Sequence, residues 1–213
     1  VDRVKARQEL GLGRDEKIIL YVGRFTPLKG IDRLLKSMTF LRNNGKPRLV
    51  IIGGDGQDTP EFKKMQKTTW DFGINDIIHF AGRVEQKDLP FYYSAADVLV
   101  VSSYHESFGL VALEALACGT PVVATDVGGM KRIIDEGKTG VVIKNNAPPY
   151  PFAREISRFL SMSCDKAAST ESTRASVLRF GWSNIADAII REYWTALKDH
   201  SDGFNPIPSH TIL

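Results

Sequence analysis

Short runs of β-branched and aliphatic residues recur along this chain, each followed by a loop and an amphipathic stretch. The runs are Ile18-Ile19-Leu20-Tyr21-Val22, Arg48-Leu49-Val50-Ile51-Ile52, Ile77-Ile78-His79-Phe80-Ala81, Val98-Leu99-Val100-Val101, Val122-Val123-Ala124 and Val141-Val142-Ile143. They are continuously apolar rather than alternating. Strands buried on both faces carry that pattern, and such strands belong to parallel sheets covered by helices. The pattern predicts an α/β fold: a doubly wound, Rossmann-like parallel sheet of about six strands with helices on both faces, plus C-terminal helices.

Between the runs, apolar residues return at helical spacing. Ile31, Leu34, Leu35, Met38 and Leu41 mark one helix. A second starts at Pro60, with Asp58 or Thr59 as its cap, and runs to Phe72. A third carries Leu89, Phe91 and Tyr92. The stretch from Phe108 to Cys118 reads as a helix closed by Gly119 in a left-handed cap, with Pro121 preventing continuation. Lys131 to Glu136 reads as a short helix. From Ala147 the character changes. Pro148-Pro149-Tyr150-Pro151 reads as a linker, and 147–199 as a helical extension of a domain spanning 1–199. Residues 200–213, with two prolines, read as a poorly ordered tail.

Composition excludes several classes. The 213 residues suffice for one α/β domain and are short for two. A net charge of +3 with no basic stripe argues against nucleic acid as a partner. No apolar run reaches the ~20 residues of a transmembrane segment. Cys118 and Cys164 form no CxxC pair and no disulfide framework, which points to a reducing, cytoplasmic setting. That setting is compatible with peripheral membrane association of a longer protein. His79, His105, His200 and His210 are scattered, and no metal site is expected. The N-terminus has no signal-peptide shape and no initiator Met, so the chain reads as a segment of something longer.

In a doubly wound sheet, ligands bind beyond the carboxyl ends of the strands. The richest loop there is Glu106-Ser107-Phe108-Gly109-Leu110, leading on to Glu114. Gly109 permits close backbone approach, and a helix start offers unpaired N–H groups and a positive dipole end to an anion. Were the whole stretch helical, the two acids would stand roughly 12 Å apart. Glu114 lies among Leu113, Ala115, Leu116 and Ala117, where an acid is costly unless paired. The bland reading makes one a helix-start acid and the other a solvated helix residue. Gly23-Arg24-Phe25-Thr26-Pro27-Leu28-Lys29-Gly30 places two cations in one strand-to-helix loop, suited to a phosphate pair or simply solvated. Gly53-Gly54-Asp55-Gly56 is neither a dinucleotide fingerprint nor a P-loop and equally serves as a tight turn. Gly82-Arg83-Val84-Glu85 alone says little. Asp126-Val127-Gly128-Gly129-Met130 faces the same edge and reads best as a turn.

These loops, in this order, resemble the group 1 (family 4) retaining glycosyltransferases of the two-Rossmann-domain GT-B fold. The resemblance covers Leu10 to Asn145 and, more weakly, Phe180-Gly181-Trp182. Glu106 to Glu114 matches the E-x7-E signature of that family. Gly23-Arg24-Phe25 with Pro27 and Lys29-Gly30, Gly82-Arg83-Val84, and Gly119-Thr120-Pro121-Val122-Val123-Ala124 match in register. The resemblance implies a nucleotide-sugar donor, such as a UDP- or GDP-sugar, with retention of configuration. Arg24 and Lys29 would bind the diphosphate, and Glu106 the sugar hydroxyls. The backbone of Ser107, Phe108, Gly109 and Leu110 would hold sugar and phosphate. Glu114 would bind the ribose, and the main chain at Arg83 and Val84 the base. Gly23 and Gly54 complete the expected donor site, in which Glu106, Arg24 and Lys29 are the catalytic candidates. No D-x-D motif is present, so no metal cofactor is expected. The family also has an N-terminal acceptor-binding domain that this chain does not show, and its final helix, here Trp182 to Leu197, crosses back to that domain. Donor binding without efficient transfer is therefore expected. The competing expectations are a nucleotide-sugar-binding module, a two-domain nucleotide-sugar epimerase, and a Rossmann oxidoreductase that the broken glycine fingerprint disfavours.

Overall fold

The computed structural model describes residues 1–43, 45–54, 56, 58–162 and 166–203. They divide into two compact units, Val1–Val177 and the part beginning at Leu178. The first unit holds six strands: β1 (Ile18–Val22), β2 (Arg48–Ile52), β3 (Ile78–Gly82), β4 (Val98–Val101), β5 (Val122–Thr125) and β6 (Gly140–Ile143). All pair in parallel, in the order β3-β2-β1-β4-β5-β6. The chain winds outward from β1 to β3, then returns to lay β4 on the free side of β1. The order of the strands reverses between β1 and β4, which makes the carboxyl edge there the switch point at which such sheets bind ligands.

The same unit carries α1 (Arg3–Glu9), α2 (Ile31–Leu41), α3 (Pro60–Asp71), α4 (Leu89–Ala95), α5 (Leu110–Ala117), α6 (Met130–Ile133), α7 (Pro149–Ser161) and α8 (Lys166–Ser176). Side chains alternate across a strand. Ile19, Tyr21, Leu49, Ile51 and Val100 join Leu34 and Leu35 of α2 and Phe152 and Ile156 of α7 in one core. The intervening Ile18, Leu20, Val50 and Leu99 are equally buried and face the side where α1 packs on α4 and α4 on α5. Burial on both faces is why the strands read as unbroken apolar runs. Each fully buried aliphatic side chain stabilises the fold by about 1.5–3 kcal/mol.

Several boundaries differ from the sequence reading. The Phe108–Cys118 helix begins only at Leu110, because Gly109 adopts φ 97° and cannot extend it. The linker at 148–151 is instead the entry to α7. Pro149 stands at its start, where a missing N–H costs nothing. The helix expected over 131–136 is the single turn Met130–Ile133, since Ile134 is already extended. The third strand starts one residue late, after a 3-10 turn over Asn75–Ile77. In the second unit, α9 (Trp182–Gly203) carries the helix past residue 200, as both prolines of the expected tail come later in the sequence. Residues 204–213 lie outside the described residues. Along α9, Ile189, Ile190, Tyr193, Trp194 and Leu197 are exposed.

Helix α1 was not foreseen. Buried Asp97, just before β4, binds Arg3 at 2.8 Å and Arg7 at 3.1 Å and accepts the Ile18 amide at 2.7 Å. Burial, and then the neighbouring Arg3 charge, push the Arg7 guanidinium down from its ordinary value. This network pins α1 under the amino ends of β1 and β4, away from the ligand-facing edge.

Candidate functional site

Two loops meet at the switch point. The β1 loop passes through a 3-10 turn, Pro27–Lys29, and the β4 loop runs from Ser102 to Gly109. Their backbones touch: Tyr104 N–H donates to the Leu28 carbonyl at 2.8 Å. A Cβ on Gly30 would collide with the Ser102 carbonyl, so only glycine permits this approach. The contact sets Lys29 Nζ 2.7 Å from Glu106 Oε2, with both side chains largely buried. Ser103 Oγ donates to the same oxygen at 3.2 Å. Glu106 Oε1 has no hydrogen-bond partner among the described residues. The sequence reading gave Lys29 and Glu106 to different parts of a ligand; in the structure they also form an ion pair.

Gly109 then opens α5. No side chain caps this helix, and the amides of Leu110 and Val111 donate to no protein acceptor among the described residues. Such a terminus attracts negative charge. Ser107 and Phe108 are exposed beside it. The loop is buttressed from behind by the turn between β5 and α6. A Cβ on Gly128 would meet the carbonyls of Glu106 and Ser107, and one on Gly129 would stand 2.8 Å from the Phe108 oxygen. The turn reading of Asp126–Met130 was therefore correct but incomplete.

Glu114 lies just over one turn into α5, closer to the helix start than expected. Its Oε2 accepts from buried Tyr93 of α4 at 2.7 Å. Thr120 anchors Tyr93 in turn by donating to its carbonyl at 2.5 Å. Burial, and then the bond to Glu114, raise the Tyr93 phenol well above its usual range. Glu114 shares a concavity of about 760 Å³ with Val22, Arg83, Val84 and Leu110. Arg83 and Val84 reach it from β3, after Gly82 turns the chain at φ 72°.

The remaining candidates take other positions on this edge. Gly23 donates to the Ile52 carbonyl at 3.0 Å, keeping β1 and β2 joined beyond the strands. Arg24 is exposed, and its side chain has no ion pair among the described residues. Its carbonyl accepts from Tyr21 Oη at 3.3 Å. Gly54, at φ 83°, lies so close to the Phe25 ring that a Cβ would approach within 2.6 Å. Asp55 lies outside the described residues. The structure thus brings together Lys29 with Glu106, and Arg83 and Val84 with Leu110 and Glu114. It draws neither Arg24 nor Gly54 into either group.

Sequence reasoning missed Ser103, Tyr93 and the Gly128-Gly129 buttress. The need for a partner at Glu114 was legible, but nothing in the sequence pointed to Tyr93. Among the described residues, no group of three or more His, Cys, Asp or Glu could hold a metal ion, and no helix is long and apolar enough to cross a membrane.

The family described as glycosyl transferases group 1 matches residues 2–175. The chain belongs to this family. A D-inositol 3-phosphate glycosyltransferase of Frankia alni is 36% identical over 203 residues, covering 92% of this chain and 50% of the relative. One from Streptomyces scabiei is 37% identical over 204 residues, covering 93% and 46%. The glycosyltransferase chain thus spans about half the length of the curated relatives it matches. Among solved structures, sucrose-phosphate synthase of Thermosynechococcus elongatus superposes with a TM-score of 0.80 at 34% identity, covering 93% of this chain and 50% of that one. Anabaena HepE, at 24% identity and a TM-score of 0.77, covers 91% and 52% and shares the fold. This group 1 glycosyltransferase unit is one Rossmann-like domain of the GT-B architecture.

Proposed function

We propose that this chain is the donor-binding domain of a retaining hexosyltransferase, holding a nucleotide-diphosphate sugar such as a UDP- or GDP-sugar. Transfer to an acceptor hydroxyl would need a second, acceptor-binding domain of a longer protein. The observation that carries this reading is the convergence at the switch point of Lys29, Glu106 and the uncapped first turn of α5.

The chemistry follows from charge. Breaking the sugar–phosphate bond builds negative charge on the departing diphosphate. Groups that hold this charge better than the intact donor lower the barrier. Lys29, Arg24 and the Leu110 and Val111 amides supply positive potential for it without a metal. Glu106 keeps one oxygen for Lys29 and Ser103 and offers the other to a sugar hydroxyl. Glu114, steadied by Tyr93, accepts from the ribose hydroxyls, and the main chain at Arg83-Val84 meets the base. The exposed apolar residues of α9 suit packing against the second domain.

Calorimetry with UDP-, GDP- and ADP-sugars tests the donor assignment, and an acceptor assay tests transfer. Saturable binding of one nucleotide-sugar without turnover is the expected result. Binding of a nicotinamide cofactor in place of every nucleotide-sugar overturns the donor assignment. Transfer by this chain alone overturns the need for a second domain.

A further inference from the structure

A separate concavity of about 520 Å³ opens where α2 meets the segment leading into α7. Arg33, Tyr104 and Asn145 line it, with Asp32 and Lys36 at its exposed rim. Arg33, on the first turn of α2, is only 4% exposed. Its guanidinium lies 4.0 Å from the Tyr104 ring centre and 5.4 Å from that of Phe152. Nη1 is buried without a hydrogen-bond partner among the described residues. The adjacent Asp32 does not neutralise it and accepts instead from Tyr104 Oη at 3.3 Å.

Asn145 presents the opposite polarity. Its Nδ2 donates to the Tyr104 carbonyl at 3.1 Å, which fixes the amide orientation and turns Oδ1 away from that bond. Oδ1 is also buried without a partner among the described residues. A buried cation lacking a counter-ion is destabilising, and stacking on aromatic rings offsets only part of the loss. Arg33 and Lys36 outweigh the single negative charge of Asp32, so the pocket favours an anion. One opening thus holds an unpaired donor on a cation and an unpaired amide acceptor.

We propose that this pocket binds a small ligand bearing a phosphate or carboxylate. An anionic oxygen accepts from Arg33 Nη1, and a neighbouring hydroxyl or amine of the ligand donates to Asn145 Oδ1. The site is distinct from the donor residues. Glu114 lies on α5, which packs with α4 on the other face of the sheet, and Glu106 shares the β4 loop with Tyr104 but turns its carboxylate to Lys29.

Titration of the whole chain with inorganic phosphate, and separately with acetate, at constant ionic strength tests this. Amide and side-chain 1H–15N spectra report the response. Saturable shifts at Arg33, Tyr104 and Asn145 are expected. A stronger response to phosphate identifies a phosphate group, and a stronger response to acetate a carboxylate. Arg33→Met and Asn145→Asp should each weaken binding by on the order of tenfold or more. Asn145→Asp keeps the side-chain volume and leaves the buried cation in place, so it decides the matter if Arg33→Met does not fold. Shifts confined to the Gly109 and Leu110 amides, non-saturating drift at Arg33, or unchanged affinity in both variants overturn the assignment. Arg33 is then a ring-stacked side chain hydrated by water.

Discussion

Lys29 Nζ lies 2.7 Å from Glu106 Oε2, so the cation of the β1 loop and the first acid of the β4 loop form one unit across the switch point. Their effects on donor binding should not add. Lys29→Ala is expected to weaken nucleotide-sugar binding by about 1.5–3 kcal/mol, as for a lost hydrogen bond to a charged group. Glu106→Gln should weaken it too, and the double variant should fall short of the sum by about 0.5–3 kcal/mol. Calorimetry on the four proteins measures the coupling. Strict additivity would separate the two residues, and unchanged affinity on losing Lys29 would remove it from the site.

Tyr93 ties a buried phenol to the second acid. Burial and the Glu114 bond raise its pKa, and burial followed by the Glu106 and Asp32 charges raises that of Tyr21. The unfolded chain releases these protons near pH ~10 while the folded chain retains them. Stability from both groups is therefore full below pH ~10 and declines as pH rises above it. Tyr93→Phe should flatten that alkaline decline. It should also cost about 1–2 kcal/mol at neutral pH, because Glu114 loses a donor. Urea unfolding of both proteins at neutral and alkaline pH checks this. Parallel alkaline slopes would show that the Tyr93 proton plays no part.

Gly128→Ala tests the buttress. The residue sits at φ 56°, and the new Cβ would overlap the carbonyls of Glu106 and Ser107. Loss of about 1–3 kcal/mol of stability is expected, with weaker donor binding as the loop shifts. Gly137→Ala is the control: it also has positive φ (79°), but nothing lies within 4 Å of its Cβ. It should share the backbone strain and spare donor affinity. Equal effects on affinity from the two substitutions would count against the buttress.

Leu34→Ala should destabilise without touching the site. Leu34 is fully buried in the core between α2 and the sheet. A loss of about 2–5 kcal/mol is expected from urea unfolding, with the donor Kd of the folded fraction unchanged.

Donor binding should not depend on a divalent metal. Nucleotide-sugar affinity measured with and without EDTA is expected to agree. A marked loss on chelation would assign part of the diphosphate charge to a metal.

The sheet was legible because its strands must be apolar on both faces, and β1, β2 and β4 fall where their hydrophobic runs do. Helix boundaries were less so. Leu110 begins α5 because of the backbone angle at Gly109, whereas residue preference alone would allow a start at Phe108. Pro149 misled for a related reason: proline breaks a helix interior but suits its first turn. In the candidate site, Glu106 and Glu114 could be singled out from their spacing. Their partners Lys29 and Tyr93 stand 77 and 21 residues away, and only the topology unites them. Asp97 likewise gave no signal in the sequence, since its arginines lie on a helix with no apolar periodicity to announce it.

Gly128 and Gly129 support the β4 loop through its backbone carbonyls, at the point where it turns into α5. Ser107 and Phe108, both exposed, stand on that support beside the uncapped first turn of α5. Any residue larger than glycine at 128 would therefore reach the start of α5 through the chain itself, moving the carbonyls of Glu106 and Ser107 on which that opening rests.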